Sequence, residues 1–239
     1  MNRTQSIVIA VAGAVAGAAA TAAAMGSGTP VGTADKAAIE RIVHDYILAN
    51  PEILPQAMER LQARDVSKAV SANRALIETP FAGAWEGAPD ADVTVVQFFD
   101  YACGYCRQSL PDIDRLLAED KRVKIVYRDM PVLGPDSEAA ARLSLAAAKA
   151  GRYGQFHRAM YATGRPDAQA RERAARAVGL DVRAATSTDV EAALDVNRQL
   201  QNALGLSGTP SWVVGDKVLS GAVGYDAIKA AVAEARAAR

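Results

Sequence analysis

The chain has 239 residues, half of them hydrophobic, enough for one large domain or a domain with appendages. Lysine plus arginine equal aspartate plus glutamate at 27 each; with no basic excess to neutralise phosphates, nucleic acid is excluded as a main partner. Two cysteines in the whole chain exclude a secreted scaffold held by many disulfides.

From the N-terminus, Met1 to Gln5 carries one charge, Arg3, and Ser6 to Met25 carries none. Ile7-Val8-Ile9 and the Ala/Gly run after it read as the apolar core of an export signal over residues 1–24, with Ala22-Ala23-Ala24 as a small-residue cleavage site. The alternative is a retained inner-membrane anchor, because the run is ~20 residues long and Gly13 and Gly17 have a spacing suited to helix packing in lipid. Both place the bulk of the chain outside the cytoplasm, in the periplasm.

After a small-residue linker, residues 34–78 read as a helical segment. Ile39, Ile42, Val43, Tyr46 and Ile47 form one apolar stripe. Asn50-Pro51 breaks the helix, and Ile53, Leu54, Met58 and Leu61 resume the stripe. Val66, Ala69, Val70, Leu76 and Ile77 extend it more weakly. So thin a segment has no core of its own and needs a covering surface. That surface is either another copy of the chain or the main domain, residues 79–239.

Thr79 to Asp92 reads as a loop anchored by Trp85. Val93 to Phe99 is a β-type run, followed by Asp100-Tyr101-Ala102-Cys103-Gly104-Tyr105-Cys106 and a helical pattern of Leu110, Ile113, Leu116 and Leu117. Val123 to Tyr127 is a second strand, ended by Met130-Pro131. About 136–203 is a helical block that Asp136 or Ser137 can cap, punctuated at Gly151, Gly164 and Gly179. Ser211 to Val214 and Lys217 to Leu219 form a hairpin around Gly215-Asp216, and Tyr225 to Arg239 closes as a helix. The order describes a mixed α/β sheet interrupted by helices.

Cys103 and Cys106 sit at a strand-to-helix junction, where the helix N-terminus favours a thiolate. A bridge between residues three apart closes too small a loop to stabilise much, so the pair points to chemistry. A structural zinc site needs four ligands, and the histidines, His44 and His157, are not in ligand spacing with the pair. His157 reads as a helix-packing residue and His44 as a solvated or interface residue. Two thiolates alone suit Cu(I), a soft ion, which leaves a copper-binding or chaperone role as an alternative. An inert buried disulfide is a further one.

Phe98-Phe99-Asp100-Tyr101 leading into Cys-Gly-Tyr-Cys, Tyr127-Arg128-Asp129-Met130-Pro131, and Gly208-Thr209-Pro210-Ser211 together resemble the DsbA-like thiol–disulfide oxidoreductases of the thioredoxin superfamily. The N-terminal helices resemble those of the suppressor-of-copper-sensitivity (ScsC-like) members, some of which oligomerise through them. The resemblance implies a thioredoxin fold with the helical block as an insertion, preceded by an oligomerisation segment. It implies Cys103 as an exposed nucleophile of lowered pKa, Cys106 as the resolving thiol one turn deeper, and Thr209-Pro210 as a cis-proline loop whose backbone pairs with an extended client. No cofactor is implied beyond the redox-active Cys103–Cys106 disulfide. The implied partners are unfolded or misfolded exported proteins and a membrane redox partner that recycles the cysteines.

Gly104 and Tyr105 are expected to tune the redox poise, and Tyr101, Tyr105, Thr209 and Trp212 are candidates to touch a client. Gly-Tyr between the cysteines, with threonine before the proline, resembles disulfide isomerases of the DsbC kind. DsbA itself carries Pro-His. The pattern favours isomerase or reductase, with a DsbA-like dithiol oxidase as the alternative. Members commonly carry an acid six residues before the first cysteine; here Gln97 stands there and cannot exchange a proton. Proton transfer at Cys106 would fall to water or to Asp100.

Overall fold

The computed structural model describes residues 33–238; residues 1–24, expected to be an export signal or an anchor, and most of the linker after them lie outside the described residues. Helices α1 (Thr33–Ala49) and α2 (Ile53–Glu78) are separated at Asn50-Pro51-Glu52, where proline lacks an N–H and biases Asn50 away from helix. The chain divides into two units between Glu59 and Arg60, inside α2. In the first unit Ile39, Ile42, Val43, Tyr46, Leu54 and Met58 are exposed. In the second, Val70 and Ile77 of α2 are buried with Val96, Phe98, Val126, Met130 and Val213. The boundary expected after residue 78 therefore falls earlier, because residues 60–78 supply core to the larger unit.

The larger unit is built on a five-stranded sheet of order β1-β3-β2-β4-β5. Its strands are β1 (Trp85–Gly87), β2 (Val93–Phe99), β3 (Val123–Asp129), β4 (Ser211–Val214) and β5 (Lys217–Ser220). β2 and β3 are parallel, and the other pairs are antiparallel. Near-continuous apolar runs in β2 and β3 fit central strands covered on both faces. Trp85, expected in a loop, instead opens β1 and pairs with Val126. Three residues were too few to show a period of two.

Between β2 and β3 run α3 (Gly104–Gln108) and α4 (Leu110–Glu119). The single helix expected after the cysteines is split at Ser109, because Pro111 has no N–H and its ring crowds the carbonyl four residues back. The helical block comprises α5 (Pro135–Lys149), α6 (Tyr153–Ala162), α7 (Ala168–Ala177), a 3₁₀ turn (Val182–Thr186) and α8 (Thr188–Ala203). α5 starts at Pro135 after Gly134, with no side-chain cap. Neither Asp136 nor Ser137 caps it, since Pro135 already supplies a first residue that needs no N–H partner. Helix α9 (Tyr225–Ala237) closes the chain. One face of the sheet is covered by α4, α9 and parts of α5 and α6, the other by α2 and α8.

Arg128 joins α2 to the sheet. Its guanidinium is buried and donates to the carbonyls of Leu76, Ile77 (3.3 Å) and Thr79 (2.5 Å), and to Asn197 Oδ1 on α8 (3.1 Å). Leu76 and Ile77 are among the last four residues of α2, whose carbonyls have no partner within the helix. A cation there also meets the negative end of the helix dipole. Burial pulls the Arg128 pKa down to about 10, against the opposing charge of Asp129, so the group stays charged at neutral pH.

Candidate active site

β2 delivers Asp100, Tyr101 and Ala102 to the edge of the sheet, and Cys103 then caps α3 with extended backbone (φ −79°, ψ 115°). Both thiols are free and buried. Cys103 is 6 % exposed, which corrects the expectation of an exposed nucleophile. Its sulfur donates to the Thr209 carbonyl at 3.2 Å, so the residue before the proline covers it. Thr209-Pro210 is a cis peptide bond, and β4 begins directly after it. Cys106 is fully buried, and burial is the main cause that pushes its thiol pKa well up, with the neighbouring Cys103 adding to it. Cys106 therefore stays protonated.

The two intervening residues lie off the core. A Cβ on Gly104 would meet nothing within 4 Å, and Tyr105 is 66 % exposed. Tyr101 and Trp212, both candidates for client contact, are buried. Trp212 packs in the same core cluster as Cys106 and donates from Nε1 to the Gly221 carbonyl at 3.0 Å. Tyr101 turns inward to a polar cluster described below. Neither can reach a bound peptide, whereas Tyr105 and the half-buried Thr209 can.

Asp100 does not point at Cys106. Its Oδ1 accepts from Ala102 N at 2.8 Å, and its Oδ2 accepts from Val132 N at 2.9 Å and Leu133 N at 3.0 Å. Its carbonyl accepts from Cys103 N at 3.0 Å and Tyr161 Oη at 3.1 Å. Gln97 is buried on β2 opposite Tyr127 and Trp212, on the same face as Val95 and Phe99. Its Oε1 has no hydrogen-bond partner among the described residues.

Beneath the motif lies a cluster that periodicity did not reveal. His157 on α6 is ringed by Phe99, Tyr101, Tyr127, Tyr153 and Tyr161 at 4.8–5.4 Å between centroids. Four of the chain's seven tyrosines are spent here. His157 Nδ1 lies 3.0 Å from Tyr101 Oη and 3.2 Å from Tyr153 Oη. Tyr101 Oη donates to Ser144 Oγ at 3.1 Å, and Ser144 Oγ to Asp129 Oδ2 at 3.2 Å. The expectation of a packing histidine holds. His44, on α1, is exposed and lies 3.1 Å from Asp45.

Burial depresses the His157 pKa from 6.5 to about 3 and raises that of Asp129 well above 3.8. The two act oppositely on stability. Between about pH 3 and 6.5 the unfolded chain binds the histidine proton and the folded chain does not, so this contribution is lost as pH falls. The Asp129 contribution is present at low pH and lost as pH rises. His157→Phe removes only the first. The stability advantage of wild type over this variant is expected to shrink by about 3 kcal/mol between pH 7 and pH 4, measured by urea titration.

Among the described residues no group of three or more His, Cys, Asp or Glu converges on one point. A strand, a Cys-x-x-Cys helix cap and a cis Thr-Pro facing the first cysteine define a thioredoxin-type thiol–disulfide oxidoreductase domain. The chain belongs to the DSBA-like thioredoxin domain family, whose profile matches residues 94–233. Residues 35–66 match the copper resistance protein ScsC N-terminal domain.

Among solved structures, the chain is similar to a linker-deletion variant of Proteus mirabilis ScsC, with 26 % identity, a TM-score of 0.72, and 89 % of this chain and 100 % of that one covered. A thioredoxin-like oxidoreductase from Silicibacter pomeroyi is 40 % identical, with a TM-score of 0.65 over 69 % of this chain and 97 % of that one. The thiol-disulfide exchange protein α-DsbA2 from Wolbachia pipientis is 27 % identical, with a TM-score of 0.65 over 72 % and 97 %. Two curated relatives are Na(+)/H(+) antiporters. NhaA 3 of Salinispora tropica is 36 % identical over 73 residues, and NhaA 1 of Salinispora arenicola 28 % over 161. The matches take in 30 % and 62 % of this chain, which spans only 11 % and 24 % of their lengths. Among the described residues no helix is long and apolar enough to cross a membrane.

Proposed function

We propose that the protein is an exported thiol–disulfide oxidoreductase that reshuffles or reduces disulfides in unfolded or misfolded periplasmic proteins. The carrying observation is the asymmetry of the pair: Cys103 at the cis-proline loop, Cys106 sealed beneath it with its acidity suppressed. In the forward step Cys103 thiolate attacks one sulfur of a client disulfide. A Cys103–client bond forms, the client S–S bond breaks, and the departing thiolate takes a proton from water. Cys106 must then lose its proton to release the client, and neither Gln97 nor the engaged Asp100 is placed to accept it. A long-lived mixed disulfide gives a second client thiol time to attack instead, which is isomerisation. A membrane-bound dithiol partner would return the Cys103–Cys106 disulfide to its reduced form.

The exposed stripe of Ile39, Ile42, Val43 and Tyr46 fits coverage by a second copy of the chain, which would set several sites around a shared space. Ile42→Asp is expected to lower the mass seen by light scattering to that of one chain; an unchanged mass would remove self-association from this account. The function itself is tested by incubating reduced protein with scrambled ribonuclease and, in parallel, oxidised protein with a reduced peptide. Faster reactivation than oxidation is expected. A couple as oxidising as about −120 mV, where the strongest oxidant of the superfamily lies, together with fast peptide oxidation, would make it an oxidase.

A further inference from the structure

Asp100 makes more contacts than a residue that merely precedes a motif would need. It is 2 % exposed, yet it is a carboxylate, and burying one without partners is costly. Three backbone amides satisfy it, and they come from two different segments. One is Ala102, beside Cys103; the others are Val132 and Leu133, in the turn after β3. That turn presents its side chains outward, Val132 at 43 % and Leu133 at 55 % exposed. The amides are held while the apolar side chains are left in water. They form an apolar ledge in a segment whose backbone amides are held by the Asp100 carboxylate, beside the redox loop.

We propose that Asp100 is a positioning residue that registers the Val132–Leu133 ledge against Cys103, so that apolar residues flanking a client cysteine bind where the sulfur can be attacked. This rests on the oxidoreductase function proposed above and adds the chemistry of its client: an extended segment with apolar neighbours to its cysteine. The carboxylate is suited to the task because each oxygen accepts from a different segment. In Asp100→Asn one of those oxygens becomes an NH₂ group, which faces N–H donors and cannot accept from them. Whichever way the amide turns, one of the two segments loses its bond to this side chain. A small disulfide that touches only the sulfur is affected far less than a peptide that also rests on the ledge.

The test uses the full chain and two substrates: bis(2-hydroxyethyl) disulfide, and a glutathione mixed disulfide of a cysteine peptide flanked by leucines. Asp100→Asn is expected to raise KM for the peptide about tenfold with kcat changed less than about twofold, and to lower the rate on the small disulfide by a much smaller factor. Val132→Ser with Leu133→Ser keeps the clamp but deletes the ledge at exposed positions, and should raise the peptide KM to a similar extent. An unchanged peptide KM in either variant overturns the proposal. So does an equal loss on both substrates in Asp100→Asn, which would mean that Asp100 acts on the thiol or the fold. If Asp100→Asn does not fold, the double variant decides alone. A wild-type protein inactive on both substrates fails the oxidoreductase function itself; activity on both with an unmoved peptide KM fails only this inference.

Discussion

Cys103→Ser is expected to lower insulin reduction and scrambled-ribonuclease rescue by on the order of a thousandfold or more, since a serine hydroxyl is not ionised at neutral pH and cannot replace a nucleophilic thiolate. Cys106→Ser should behave differently. The first attack still occurs, because it belongs to Cys103, but the internal route of release is gone. A mixed disulfide with the client should then accumulate, visible as a thiol-sensitive shift on a non-reducing gel. The burial of Cys106 sets the size of the difference: its thiol is pushed up by desolvation, so wild type is expected to show some mixed disulfide as well, but less than Cys106→Ser. Retained activity in Cys103→Ser would sink the assignment of roles, and a trapped species in that variant rather than in Cys106→Ser would reverse it.

Arg128→Leu is expected to cost about 3–5 kcal/mol of stability, read from guanidinium unfolding at pH 7. The loss is not that of one ion pair, because no carboxylate faces this guanidinium in its hydrogen bonds. It is the stranding of three backbone carbonyls and of Asn197 Oδ1, all satisfied by Arg128. Asn197 in turn donates to the Asp129 carbonyl at 3.0 Å, so α8 loosens with α2. Arg128→Lys should recover only part of the loss, since a compact ammonium does not reproduce the planar fork. A loss below about 1 kcal/mol for Arg128→Leu would show that α2 is held by its apolar contacts and by Arg74 rather than by Arg128.

The chain order of strands and helices was legible because β2, β3 and the β4–β5 hairpin carry apolar runs bounded by glycine, proline and charge. Cys103, Cys106 and Thr209-Pro210 were legible because spacing and order carry them. What could not be read was direction. Asp100 reads as a carboxylate beside the cysteines, but its acceptors turn to a segment thirty residues on, and alternation stops at the end of a strand. Tyr101 and Trp212 read as aromatic groups near the site, and only burial distinguishes a ring that meets a peptide from one that packs beneath it. Arg128 and His157 each depend on partners from several elements, and no local pattern encodes such a meeting. The helical segment ends at Glu78 as expected, but the division between units inside it was not legible: Val70 and Ile77 continue the stripe of α1 and early α2, yet they pack into the core of the larger unit.

The two residues between the cysteines stand apart from all of this packing. Gly104 has open space where a side chain would go, and Tyr105 projects into water. Replacing either disturbs no buried neighbour, whereas replacing Tyr101 or Phe99 would disturb the cage around His157. If these two positions set the redox poise, as their place between the cysteines leads one to expect, the trait is separable from the fold. Selection could retune the same scaffold from reshuffling toward oxidation in one or two mutational steps, at little cost to stability and without repacking the core that holds the cysteines.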